Sequence, residues 1–130
     1  ANFLLTFVFK WAIIKKQKQV KGVDKMRPIN DDIAYDLSDF FKIFGDPTRL
    51  KILYTLLDHD MCVSELVEAL GINQSTLSHQ LRLLRQNDLV KFKRDGKTVI
   101  YGLDDEHVGI LLKNGLEHIY HKNGYEEEDI

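Results

Sequence analysis

Asp105, His107, His118 and His121 are the residues of this chain best suited to chemistry, because imidazole nitrogens and a carboxylate oxygen are donors of a four-coordinate zinc site. Three of the chain's five histidines fall in this short stretch. If residues 105–121 form one helix, His107 and His118 share a stripe but lie about 16 Å apart, so one ion cannot touch both within a chain. His118 and His121 are i, i+3 neighbours at one end, and Asp105 with His107 makes a second pair at the other. Each pair is half of a tetrahedral set. Two such helices packed antiparallel about a two-fold axis would complete two equivalent sites, each with Asp105 and His107 from one subunit and His118 and His121 from the other. Taken singly, the residues have plainer readings: Asp105 as a first-turn acid favoured by the helix dipole behind an Asp104 N-cap, and a lone histidine as a surface residue. Taken together, they predict a homodimer that binds zinc, with cobalt as a geometric substitute; nickel usually wants more ligands.

The elements that must carry these residues follow from periodicity. Asn30, Asp31 and Asp32 start a helix in which Ile33, Leu37, Phe40, Phe41 and Phe44 recur at helical spacing until Gly45 stops it, which predicts a first core helix. Asp46 then reads as an N-cap with Pro47 at the first helical position, opening a second helix whose Leu50, Leu53, Tyr54 and Leu57 are expected to face inward. Residues 61–63 suit a short extended piece. Residues 64–70 read as a third helix closed by Gly71, and residues 74–86 as a fourth. Two helices across a tight glycine-containing turn are a helix-turn-helix signature.

On the fourth helix Leu77, Leu81 and Leu84 form an apolar stripe, which turns Gln74, Ser75, Ser78, His79 and Arg82 outward. That face suits a recognition helix whose early side chains reach base edges and whose later basic ones meet phosphate, although a solvated helix face would look similar. Residues 89–93 and 98–103 are β-rich and flank Arg94-Asp95-Gly96-Lys97, with Asp-Gly a strong two-residue hairpin turn. A basic hairpin after a recognition helix is a wing, and its Lys93, Arg94 and Lys97 can reach a phosphate or the minor groove; a lysine-rich tip also serves as a soluble edge. The fold class expected is therefore mostly α with a β-hairpin wing, a winged helix-turn-helix that dimerises through its terminal helices.

Bulk properties agree. At 130 residues and 44% hydrophobic the chain can bury one modest core. Its single cysteine, Cys62, excludes an internal disulfide framework and a multi-thiolate cage, and fits a reducing cytosol. Net charge is only −2, but it is uneven: residues 74–97 carry six basic residues against two acids, and residues 104–130 eight acids against two lysines. One face can meet the phosphates of double-stranded DNA and the acidic tail over 123–130 cannot. Residues 3–14 are apolar but too short to span a bilayer and lack signal-peptide flanks, so no membrane association is expected. Two readings of residues 1–25 stand open. Lys21-Gly22-Val23 ahead of Met26 can be encoded around a bacterial ribosome-binding sequence, which would make Met26 the start and residues 1–25 translated leader. The other reading is a helix that packs on the dimer. The working domain is then 26–122.

From Phe40 to His121 the chain resembles the ArsR/SmtB family of bacterial winged-helix repressors that sense metals. The matching pieces are Phe44-Gly45-Asp46-Pro47-Thr48-Arg49-Leu50-Lys51-Ile52-Leu53, Ser64-Glu65-Leu66 with Leu70-Gly71-Ile72, Gln74-Ser75-Thr76-Leu77-Ser78-His79-Gln80-Leu81, and Gly96 with Tyr101. The resemblance implies a dimer that releases operator DNA when metal binds. One class in that family uses a Cys-x-Cys arrangement at the third helix; here the place holds Cys62-Val63-Ser64, and the second thiolate is missing, which leaves Cys62 as a small buried residue. The other class places Asp-x-His and His-x-x-His on the last helix, and Asp105, His107, His118 and His121 follow that pattern.

The function expected is a zinc-released repressor acting in the cytoplasm, with zinc as allosteric effector and a histidine's outer nitrogen reaching towards Asn87 and Asp88 as a relay. The alternative is a winged-helix regulator answering a non-metal signal, through Cys62 oxidation or a ligand. Enzymatic use of zinc is disfavoured, since a catalytic zinc keeps an open position and no hydrolase motif is present.

Overall fold

Residues 28–125 are described by the structure, a computed structural model. The leader or dimer-packing helix expected over 1–25, and the acidic residues from 126 onward, lie outside the described residues. The described elements are α1 (Asp31–Phe44), α2 (Pro47–Asp58), β1 (Met61–Cys62), α3 (Val63–Leu70), α4 (Gln74–Gln86), β2 (Val90–Asp95), β3 (Thr98–Leu103) and α5 (Glu106–Asn123). Among them no helix is long and apolar enough to cross a membrane. The chain divides into two compact units between Tyr35 and Asp36. In the first, the Ile33 amide donates to Asn30 Oδ1 at 2.9 Å and opens α1. The end of α1 and all later elements lie in the second.

The corner between α1 and α2 is built by one short motif. Asp46 caps α2 by accepting from the Arg49 amide at 2.9 Å, and Pro47 supplies a first residue with no amide to satisfy. The Arg49 side chain turns back, its Nε donating to the Ile43 carbonyl at 2.8 Å. A guanidinium there answers a carbonyl that the end of α1 leaves without a helical partner. One four-residue stretch thus caps the start of one helix and the end of another.

Core formation begins with α4. Leu77, Leu81 and Leu84 are completely buried, as are Ile52, Leu53 and Leu66, each contributing about 1.5–3 kcal/mol by leaving water. Two expectations about the helices before it are corrected. Helix α1 buries no residue within one chain, with Ile33, Leu37 and Phe41 exposed and Phe40 and Phe44 half-buried. On α2 the buried set is Ile52, Leu53 and Leu56, while Leu50 and Tyr54, expected inside, are 39% and 45% exposed. Apolar residues run almost all round α2, so more than one inward stripe satisfied the pattern.

The sheet is antiparallel in the order β1, β3, β2. Asp95 pairs with Thr98, so the two central turn residues are Gly96 and Lys97, one position later than the expected Asp-Gly. Gly96 holds φ +62, the positive value required at the first central position of a hairpin turn. Helix α3 starts at Val63 with Cys62 as N-cap, one residue earlier than expected.

Between α4 and β2 the chain turns through Asp88, the one described non-glycine residue with positive φ, at 57°. A Cβ in the left-handed region is unfavourable, and Asp tolerates it better than most residues. Substituting Asp88→Gly is therefore expected to raise stability to urea by up to about 1 kcal/mol, and Asp88→Val to lower it by at least about 1 kcal/mol, read as shifts in the unfolding midpoint at unchanged slope.

Candidate metal centre and nucleic-acid interface

Helix α4 opens with Asn73, whose Oδ1 accepts from the Thr76 amide at 2.8 Å. The Ser75 hydroxyl donates to the same oxygen at 3.0 Å, leaving its own lone pairs to face outward. Because the leucine stripe is wholly buried, the opposite face is held out of the core: Gln74, Ser75, Ser78, His79 and Arg82 are all exposed. Thr76 is exposed beside them. It escaped the sequence reading because it sits next to Leu77 in the chain, yet it closes the N-terminal end of the same polar surface. Asn87 N–H and Leu89 N–H return to the Leu83 and Leu84 carbonyls at 3.2 and 3.0 Å, ending α4 before the wing.

Lys93, Arg94 and Lys97 are exposed at the hairpin end. Strand alternation sends Phe92 and Arg94 to one face and Lys91 and Lys93 to the other. The structure thus sets a polar helix N-terminus and a basic β-tip on one module, the geometry of a surface that meets a polyanion. Phosphate is chemically matched by the tip, and base edges by the small hydroxyl and amide groups of α4.

The four candidate ligands all lie on or at the start of α5, in two separated pairs. Asp105, not Asp104, is the N-cap: its Oδ1 accepts from the Val108 amide at 3.2 Å, so it stands just outside the helix rather than in its first turn. Its Oδ2 lies 3.6 Å from His107 Nδ1. The Val108 amide, and after it the His107 ring, hold the Asp105 carboxyl below the usual carboxylate range. A carboxylate kept ionised beside an imidazole is a fit donor pair for a divalent cation. His118 and His121 are exposed three residues apart near the other end of α5. Among the described residues of one chain, no three His, Cys, Asp or Glu side chains come together as a metal set. The two pairs remain apart.

Beside this stripe runs an open apolar groove of about 500 Å³ between α1, α2 and α5, lined among others by Phe41, Leu50, Tyr54, Leu111, Gly115 and Ile119. Gly115 carries no side chain there, and a Cβ added to it would meet nothing within 4 Å. A glycine in mid-helix costs roughly 1 kcal/mol relative to alanine, a cost that nothing among the described residues explains.

One further expectation, the burial of Cys62, is revised below. Asn87 Nδ2 donates to the Leu83 carbonyl at 2.8 Å, while α4 and the start of α5 are tied by the main chain, Asp104 N–H to the Leu89 carbonyl at 3.0 Å. That backbone bond joins the two regions within one chain. Cys62 is half-buried rather than buried; its Sγ donates to Glu65 Oε1 at 3.1 Å and lies 3.1 Å from Ser64 Oγ.

Comparison with known proteins agrees with this geometry. The profile of the family described as bacterial regulatory protein, arsR family, matches residues 46–91. The chain is 39% identical over 88 residues to a transcriptional repressor SmtB homolog of Synechocystis sp., covering 68% of this chain and 67% of that protein. It is 37% identical over 100 residues to a cadmium resistance transcriptional regulatory protein CadC homolog of Staphylococcus aureus, covering 73% and 83%. The solution structure of apo-NmtR superposes with a TM-score of 0.63 at 36% identity, covering 83% of this chain and 89% of that one.

The thiol contact at α3 generates a pH prediction. The Cys62 side chain, and then its amide, hold the Glu65 carboxyl below its ordinary value, so the stabilisation this contact gives is present above that ordinary value and is lost as pH falls through the lowered one. Cys62→Ala should raise the Glu65 titration midpoint towards 4.5, measured by carboxyl-carbon NMR; an unmoved midpoint would show that the thiol is not the cause.

Proposed function

Because the chain belongs to the arsR family of bacterial regulatory proteins and is a DNA-binding, helix-turn-helix transcriptional repressor rather than an enzyme, we propose that it is a zinc-released repressor that works as a homodimer in the cytoplasm. The observation that carries the zinc reading is the placement of two half-sites at opposite ends of one helix. Asp105 and His107 stand at the start of α5, His118 and His121 near its end, about 16 Å apart along the axis. Neither half completes a tetrahedral set. A second copy, laid antiparallel on the apolar groove beside them, would complete both.

Asp105 and His107 of one copy and His118 and His121 of the other would hold the ion, and bound zinc would supply a cross-link between subunits. The chain's own residues do the rest. Gln74, Ser75, Ser78, His79 and Arg82 read and position operator DNA, and Lys93, Arg94 and Lys97 meet its backbone. The Asp104 to Leu89 bond joins the metal-bearing end of α5 to the exit of α4, so a shift of α5 against its partner carries the recognition helix with it. Zinc then disfavours the DNA complex, and operator must weaken zinc binding by the same factor, typically worth about 1–3 kcal/mol. Cobalt fits the same donors. Cys62 is the chain's single cysteine, so the alternative, a redox response, would act through this one thiol in each subunit.

Titrating zinc into the protein on a fluorescent duplex of its own promoter region should release the DNA at one ion per subunit, whereas a His118→Ala/His121→Ala variant should stay bound; release of both alike would remove the assigned ligands. The groove has its own check. Gly115→Lys fits one chain and favours the helix by roughly 0.5–1 kcal/mol, yet puts a charge where the second copy would lie. Sedimentation should show a well-folded monomer, and a persistent dimer would place the subunit interface elsewhere.

A further inference from the structure

Not every positive charge around α4 is free to meet phosphate. Arg85 leaves the last turn of α4, and its guanidinium carbon stands 4.7 Å from the centre of the Phe92 ring on β2. A guanidinium over an aromatic face is held by the ring's quadrupole and by stacking of two flat groups. The Phe92 ring is in turn 6.0 Å from Tyr101 at an interplanar angle of 43°, and these two residues are cross-strand partners in the β2–β3 ladder. Tyr101 also stands opposite Met61 of β1 and packs on the core. One continuous row therefore runs from the end of the recognition helix across the whole sheet.

That row reaches past the buried base of the wing, Leu89 and Val90. Beyond Val90 every residue of β2 is exposed, so the outer strand is held by its ladder with β3 and by the contacts of this row. The link from α4 passes through Asp88 in the left-handed region, a conformation held only by its surroundings. Phe92 is 39% exposed and stands between Lys91 and Lys93, an apolar ring on a strand otherwise given to charge. Solvation gives no reason for an aromatic side chain there; Tyr101 across the ladder and the Arg85 guanidinium above the ring do.

We propose that Arg85 is a positioning residue for DNA binding: through Phe92 it locks the wing at a fixed pitch against the recognition helix, so that α4 and the basic tip dock together, and it is not itself a phosphate ligand. The proposal rests on the DNA-binding reading above. It separates Arg85 from Arg82, one turn earlier on the same helix, whose side chain faces outward.

The test is a double-mutant cycle on the full chain, read by fluorescence anisotropy with a labelled duplex of its own promoter region across a salt series. Arg85→Gln and Phe92→Leu should each weaken binding about fivefold, and the double variant about fivefold again relative to the parent rather than about twenty-five-fold. Phe92→Tyr keeps the ring and should bind within about twofold of the parent. In the DNA-free protein the Arg85 side-chain methylene protons should be shifted upfield by the ring and should lose that shift in Phe92→Leu. The lock is overturned if Phe92→Leu binds like the parent, or if the two effects multiply while Arg85→Gln alone lowers the salt slope by about one, the mark of a direct phosphate contact. A parent that does not bind the duplex sinks the DNA reading itself and the lock with it, whereas a binding parent with an indifferent Phe92→Leu sinks the lock alone.

Discussion

The burial of one leucine stripe is the constraint on which the rest of this molecule depends. Leu77, Leu81 and Leu84 are wholly buried, and three apolar side chains on one face of a thirteen-residue helix leave it a single favourable rotation about its axis. Everything functional about α4 follows from that rotation. The polar face is outward because it is opposite the stripe, and the N-terminal residues are presented because Asn73 caps the helix at a defined point. A recognition surface needs its few side chains held rigidly against an extended partner, and here the core performs that task without using any residue of the surface.

The other end of the module is organised by capping together with the partial burial of Phe40, Ile43 and Phe44. The Asp46 carboxylate caps α2 and the Arg49 guanidinium ties its start to the end of α1, each by a hydrogen bond between a side chain and the main chain, and α1 buries none of its own residues. The result is an apolar groove with α1 and α2 as walls and α5 beside them. Helix α5 carries both kinds of surface at once, with Val108 and Leu112 in the core and the histidines exposed. Asp105 with His107 and His118 with His121 stand at opposite ends of this helix, next to that apolar face.

Communication between the two surfaces is short. Leu89 receives the Asp104 amide and returns its own amide to α4, so two backbone hydrogen bonds connect the start of α5 with the end of the recognition helix. Backbone bonds of this kind depend on no side-chain identity, and a pattern of residue types along the chain therefore carries no trace of them. The row from Arg85 to Tyr101 is different. Its members are visible as residues, but nothing in their spacing relates position 85 to position 92 until the hairpin folds back.

Much was legible before any coordinates. The 3.6-residue period of α4, the Asp-Pro start of α2, the alternation and turn of the hairpin and the paired histidines were all readable, because each depends on residues within a few positions of one another. Local signals also misled in consistent ways. Both α1 and α2 carry more apolar residues than one chain can bury, so the pattern could not say which would remain exposed, and Leu50 and Tyr54 were placed inside. The hairpin turn was set one residue early because Asp-Gly is favoured locally while the register of Asp95 with Thr98 is fixed by the whole ladder. By itself, then, the sequence determined the elements, the outward face of α4 and the spacing of Asp105 and His107 from His118 and His121. Tertiary structure alone decided which apolar faces stay open, that Asp105 caps rather than enters its helix, and that Arg85 is spent on the wing, because burial, register and stacking are set by residues distant in the chain.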